Sequence, residues 1–142
     1  MIASALPLLA VIAGIVILGV TGNLFSASPI VIAVQVLAAA LSIWARRSFQ
    51  AGTFRVTAAP GGSSIIRRGP YRLIRHPMYS AVLLFLWSGV VSHRSTLTLT
   101  IGIAITSVVV ARVIVEERVL RAKYPDYQDY ARSTKVLIPY VL

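Results

Sequence analysis

The chain has no cysteine, only four acidic residues and only two histidines in 142 positions. Without thiols it can form no disulfide, no thiolate metal site and no cysteine nucleophile. Two histidines, His76 and His93, give no basis for a histidine-rich metal centre, and no metal is expected. Charge is scarce as well: 13% of the residues are Asp, Glu, Lys or Arg against 57% hydrophobic, far from the average of a water-soluble domain.

The residues present are arranged in long apolar runs. Ile2 to Val20 carries no charge, and 19 residues at the helical rise reach about 28 Å, close to the hydrocarbon thickness of a bilayer. This run has no basic segment before it and is longer than the core of a signal peptide, so it reads as a span despite the small residues Ser26-Ala27-Ser28 after it. Gly22, Asn23 and two serines make a turn, and Pro29 suits the first turn of a second helix that ends near Ala45, before Arg46 and Arg47, with Trp44 at the interface. Pro77 to Val91 holds only 15 residues, so a third span is expected to start near Arg72 or to cross a thinned membrane. A short polar link then leads to a fourth run, Leu97 to Val115.

The net charge of +10 invites a nucleic-acid reading, but the cations follow the membrane instead. Seven arginines (46, 47, 55, 67, 68, 72, 75) lie between the second and third runs and six Lys/Arg from Arg112 onward, leaving Arg94 alone on the other side. By the positive-inside rule both termini and the loop 46–76 face the cytosol, in a multi-pass protein expected in the cytoplasmic membrane of a prokaryote. The fold class is therefore an all-α integral membrane protein read as one domain over 1–142. Its four transmembrane helices cover about 2–20, 29–45, 72–91 and 97–115, with a cytosolic loop and a tail, 116–142, of short amphipathic helices. In that tail Tyr124-Pro125 breaks the helix, Asp126 is available to cap a helix to Ser133, and Tyr127 and Tyr130 share a face. His93, in the turn on the far side, reads as solvated surface.

Two clusters stand out on the cytosolic side. One is Gly69-Pro70-Tyr71-Arg72-Leu73-Ile74-Arg75-His76-Pro77-Met78-Tyr79, running straight into a span; the other is Glu116-Glu117 at the mouth of the last span. Ionisable groups at a membrane boundary are functional candidates, because burying one without a partner is costly. Interfacial anchoring by Arg75 and Tyr79, and pairing of the glutamates with Arg112 and Arg121 four residues away, account for the same spacing.

In order and spacing the two clusters resemble the isoprenylcysteine carboxyl methyltransferase family and its phospholipid methyltransferase relatives. The hallmark G-x-Y-x-x-x-R-H-P-x-Y is supplied by Gly69, Tyr71, Arg75, His76, Pro77 and Tyr79, and E-E-x-x-L by Glu116, Glu117 and Leu120. Tyr124-Pro125-Asp126-Tyr127 with Tyr130, and the closing Leu137-Ile138-Pro139, match the family tail, so the resemblance runs from about Arg46 to Pro139. Departures fall at Ser63, Ala81 and Val136.

The resemblance implies a methyltransferase that uses S-adenosylmethionine, with a pocket between the cytosolic ends of the last two spans under the tail. It implies cofactor contacts from Tyr71, Arg75, His76, Pro77, Tyr79, Glu116, Glu117, Leu137 and Ile138, and a catalytic role for Arg112 and Glu116. The glutamates suit the cofactor's ammonium and ribose hydroxyls, an imidazole or guanidinium its carboxylate, and Tyr71 or an apolar side chain its adenine. Arg112 suits an acceptor carboxylate, although snorkelling to the interface explains it equally. The expected partners are the bilayer and a lipid-linked or prenylated acceptor, a carboxylate ahead of a phospholipid amine, and not nucleic acid. A non-catalytic scaffold retaining the motifs is the competing class. The small-residue stretch 58–64 is expected to be mobile until cofactor binds.

Overall fold

The computed structural model describes residues 2–48 and 65–138, with side chains from Leu6 onward. Five α-helices follow in order, α1 Ile2–Val20, α2 Pro29–Arg47, α3 Pro77–His93, α4 Thr96–Lys123 and α5 Tyr127–Ser133, with a 3-10 turn, Gly69–Arg72, ahead of α3. Among the described residues there is no strand, and one isolated parallel bridge pairs Ile74 with Lys135. The stretch 58–64, Ser63 within it, and Pro139 of the closing motif lie outside the described residues.

Each long helix buries a narrow stripe. On α4 the buried residues Thr98, Gly102, Ile105, Val109 and Val113 recur every three or four positions, and on α1 Gly14 and Leu18 do the same. The helices pack in the spatial order α1, α4, α3, α2. Close approach depends on small residues: Gly14 of α1 lies against Ile105, and Gly102 of α4 against Val90. Inside the α3–α4 hairpin Trp87 donates from Nε1 to Thr106 Oγ1 at 3.0 Å, and Gln35 of α2 donates to the Leu24 carbonyl at 2.8 Å. Polar groups placed in apolar surroundings are thus paired. The outward faces carry Ile30, Val36, Leu37 and Ile43 of α2 and Ile103, Val110 and Ile114 of α4, a covering suited to hydrocarbon rather than to water.

Two helices, α2 and α4, are long and apolar enough to cross a membrane; Leu6–Val20 and Pro77–His93 are shorter apolar helices. The third helix starts at Pro77, not near Arg72. His76 precedes a proline, which disfavours helical geometry for it, and it takes φ −123°, ψ 57°. At the other end α3 continues to His93, whose Nδ1 lies 3.0 Å from the Gly89 carbonyl and whose ring is half-buried rather than solvated. Ser95 then caps α4 in a reciprocal box with Thr98.

α4 is the element that places the site. Its apolar stretch ends at Val115, yet the helix runs two further turns to Lys123, lifting Glu116 and Glu117 just beyond the bundle. Leu120 accepts from the Tyr124 amide and the chain turns into α5. Asp126 does stand at the N-cap of α5, but its side chain makes no capping bond.

Candidate functional site

The approach to α3 is shaped by one glycine. Gly69 has φ +58°, and a Cβ there would run into the Ser48 side chain at the end of α2 and lie 3.2 Å from Trp44 Nε1. Pro70 and Tyr71, both buried, continue the 3-10 turn, and residues 73–76 then extend towards α3. Gly69→Ala is expected to lower stability by about 1–3 kcal/mol through left-handed strain and overpacking, read as a drop in the thermal midpoint of the purified protein.

The extended segment is stitched to the tail. Lys135 N donates to Leu73 O at 3.0 Å, Arg75 N to Lys135 O at 2.8 Å and His76 N to Val136 O at 3.1 Å, while Ser80 Oγ reaches Leu137 O at 2.5 Å. Arg75 adds a second set. Its Nη1 donates to the carbonyls of Ala131 and Thr134 at 2.7 and 2.6 Å, which lie where α5 ends and its carbonyls lack helical partners. Tyr130 OH donates to Tyr71 O at 2.8 Å.

Glu117 closes this clasp. Its Oε1 accepts from Arg75 Nε at 2.8 Å, His76 Nε2 at 3.1 Å and Tyr127 OH at 2.6 Å, and its Oε2 lies 3.4 Å from Arg121 Nη2. Burial disfavours the charged form, but hydrogen bonds from His76 and Tyr127 and the Arg75 cation outweigh it and hold the carboxyl down at about 2. The phenols around it move the other way. Burial, and then Glu117, push Tyr127 well above its ordinary range, and burial pushes Tyr130 up to about 12. Tyr71 is likewise raised, by burial and then by Tyr130 and Glu116. These tyrosines stay protonated donors at any physiological pH.

Glu116 belongs to a second, deeper set. Its Oε1 accepts from Tyr79 OH at 2.6 Å and from Arg112 Nε at 3.1 Å, while Arg112 Nε also donates to Tyr79 OH at 2.5 Å. His76 bridges the two carboxylates, with Nδ1 3.6 Å from Glu116 Oε2 and its ring stacked on Tyr79 at 5.7 Å between centroids. Arg112 lies one helical turn, about 6 Å, inside the mouth. Its side chain is 10% exposed and reaches Tyr79 and Glu116.

The residues singled out from the sequence therefore converge. Tyr71, Arg75, His76, Pro77, Tyr79, Arg112, Glu116 and Glu117 form one continuous network or its immediate wall, Leu137 joins through its carbonyl, and Ile138 sits half-exposed at the margin. Pairing of the glutamates with Arg112 and Arg121 is also present, as part of the network rather than an alternative to it. Tyr127, Thr134 and Ser80 are further members that the sequence did not single out as site residues. Tyr127 and Tyr130 carried a signal, being two aromatics on one face of a short polar helix. Among the described residues no group of three or more His, Asp or Glu side chains is arranged to hold a metal ion.

Among the described residues, helices with apolar outer faces that carry a charged cluster beyond the apolar stretch of α4 have the form of a membrane-associated protein. Residues 11–127 match the phospholipid methyltransferase family, and the chain belongs to it. It is similar to the cobalt-zinc-cadmium resistance protein CzcN of Cupriavidus metallidurans, 31% identical over 78 residues that make up 54% of this chain and 36% of that one. It is also similar to the nickel-cobalt-cadmium resistance protein NccN of Alcaligenes xylosoxydans xylosoxydans, at 27% over 78 residues, 54% of this chain and 37% of that one. The match thus spans little more than a third of the length of these relatives. No solved structure matches the chain.

Proposed function

We propose that this protein is a four-span membrane methyltransferase that uses S-adenosylmethionine to methylate a lipid-borne acceptor, most readily a carboxylate of the isoprenylcysteine type. Family membership supports the reaction class. The observation that carries the site is the convergence of Glu116, His76, Tyr79 and Arg112 at the junction of α3 and α4.

The donor set fits the cofactor. A carboxylate in a half-buried setting suits its ammonium and ribose hydroxyls, and imidazole and guanidinium N–H groups suit its carboxylate. Among the described residues no fully buried side-chain nitrogen or oxygen lacks a partner, so binding exchanges existing pairings for new ones. When bound, the cofactor supplies a methyl group already carrying its leaving group. The chain's residues are then left to position and to exclude water, and alignment alone is worth about 7–11 kcal/mol. In this reading Glu116, His76 and Tyr79 hold the cofactor, the Leu137–Ile138 backbone and Tyr71 wall it, and Arg112 holds the acceptor. Arg75 and Glu117 keep the wall in place from the clasp.

A carboxylate acceptor is already ionised near neutral pH and needs no general base. The family description favours a second reading, methylation of a phospholipid amine. An amine must first lose a proton, and Glu117, held at about 2, is a weak base for that task. Labelled methyl transfer from S-adenosylmethionine to farnesylcysteine analogues and to a total lipid extract separates the two. Titration calorimetry with S-adenosylhomocysteine in detergent tests the site itself: Glu116→Ala is expected to weaken binding by about tenfold or more, the worth of a charge-assisted hydrogen bond. Absence of saturable heat in the wild type would instead point to a non-catalytic scaffold.

A further inference from the structure

The clasp uses only part of the Arg75 guanidinium. Nε goes to Glu117 and Nη1 to the tail carbonyls, and among the described residues no group accepts from Nη2. The side chain is 8% exposed, yet no fully buried nitrogen or oxygen of a described side chain lacks a partner, so Nη2 keeps some open surface. Arg75 also lines a shallow, open surface depression of about 350 Å³ together with Arg121, Gln128, Ala131 and Arg132.

Three guanidiniums and an amide line this space, and no acidic residue does. The nearby carboxylates are weakly engaged or already committed. Arg121 is 3.4 Å from Glu117, whose other oxygen serves Arg75, His76 and Tyr127, and Arg132 is 3.6 Å from Asp129 in a pair that is largely exposed. Guanidinium forks lining one depression match the oxygens of a tetrahedral oxyanion. Arg121 stands six residues past Val115, about 9 Å beyond the apolar stretch of α4, at the level of lipid headgroups.

We propose that this depression binds a phosphate group, carried by an anionic phospholipid of the adjacent leaflet or free in the cytosol, and that Arg75 couples its occupancy to the clasp. The site draws on the membrane placement proposed above but not on cofactor chemistry. The full-length protein is tested in detergent by thermal unfolding, followed through Trp44 and Trp87. The additions are micelles doped with phosphatidylglycerol or phosphatidylcholine, and inorganic phosphate against chloride at equal ionic strength. Wild type is expected to gain roughly 3 °C or more with a phosphate-bearing anion, and the double variant Arg121→Gln, Arg132→Gln none. Arg132→Gln alone, at an exposed position, serves if the double variant does not fold and is expected to lose part of the gain. Response to phosphatidylglycerol alone makes the ligand a headgroup, and response to inorganic phosphate as well makes it phosphate as such. Equal gains in wild type and variants, or no gain with either probe, overturn the proposal. Binding of S-adenosylhomocysteine on the same samples reports the cofactor reading separately and is expected to persist in Arg132→Gln.

Discussion

Replacing Glu117 with alanine is expected to release the C-terminal tail from α3. One carboxylate oxygen holds Arg75, His76 and Tyr127 together, and these three reach the 3-10 turn side, the start of α3 and α5 respectively. Removing it leaves the Arg75 cation nine-tenths buried with no counter-charge among its hydrogen-bond partners. Breaking a buried pair from one side costs about 3–5 kcal/mol, comparable to the whole of the backbone pairing of 73–76 with 135–136. Hydrogen exchange at the amides of Arg75, His76 and Lys135 measures the effect: protection is expected to fall sharply in Glu117→Ala and less in Glu117→Gln, which keeps a hydrogen-bonding oxygen. Unchanged protection would mean that backbone pairing alone holds the tail.

The same residue sets a pH dependence. Glu117 has its carboxyl at about 2 in the folded protein against an ordinary 4.5, so between those values the unfolded chain binds more protons than the folded one. Its contribution to stability is whole above about pH 4.5 and is lost as pH falls towards 2. Tail protection in the wild type is therefore expected to decline through that acid window, and Glu117→Gln to show a flatter profile there.

Local signals in the sequence carried the helices but not the clasp. α1 and α2 stood out because charge-free stretches end at a turn composition and at an Arg46-Arg47 pair, both readable within a few residues. The apolar run begins at Pro77, as α3 does, and a start near Arg72 follows only from matching length to a membrane, which does not see that His76, held by a following proline and by a bond to Val136, cannot enter the helix. The Ile74–Lys135 bridge joins positions 61 residues apart, and nothing local announces it. The clustered residues were legible as motifs, while their division into two sets was not. Glu116 and Glu117 are adjacent and chemically identical, and only the rotation of 100° per residue along α4 turns one towards Tyr79 and Arg112 and the other towards Arg75 and Tyr127.

Arg112→Ala is expected to lower kcat/KM for a carboxylate acceptor by about 10²-fold while changing S-adenosylhomocysteine affinity by no more than a few-fold. Arg112 is placed for this split. It lies a turn deeper than the glutamates, is nearly buried, and meets Tyr79 and Glu116 through Nε. A positioned guanidinium offers a carboxylate two parallel hydrogen bonds and so fixes orientation as well as affinity, and misplacement of a reacting group by about 1 Å costs on the order of 10²-fold. Arg112→Lys keeps the charge and loses the fork, so it is expected to recover only part of the rate. For an amine acceptor the expectation reverses, because a neighbouring cation disfavours the positive charge that develops on nitrogen as the methyl group transfers, and removing Arg112 should then leave the rate unchanged or raise it. Measuring Arg112→Ala and Arg112→Lys against both acceptor classes therefore distinguishes carboxylate from amine methylation, and an equal loss of S-adenosylhomocysteine binding would move Arg112 to the cofactor side of the site.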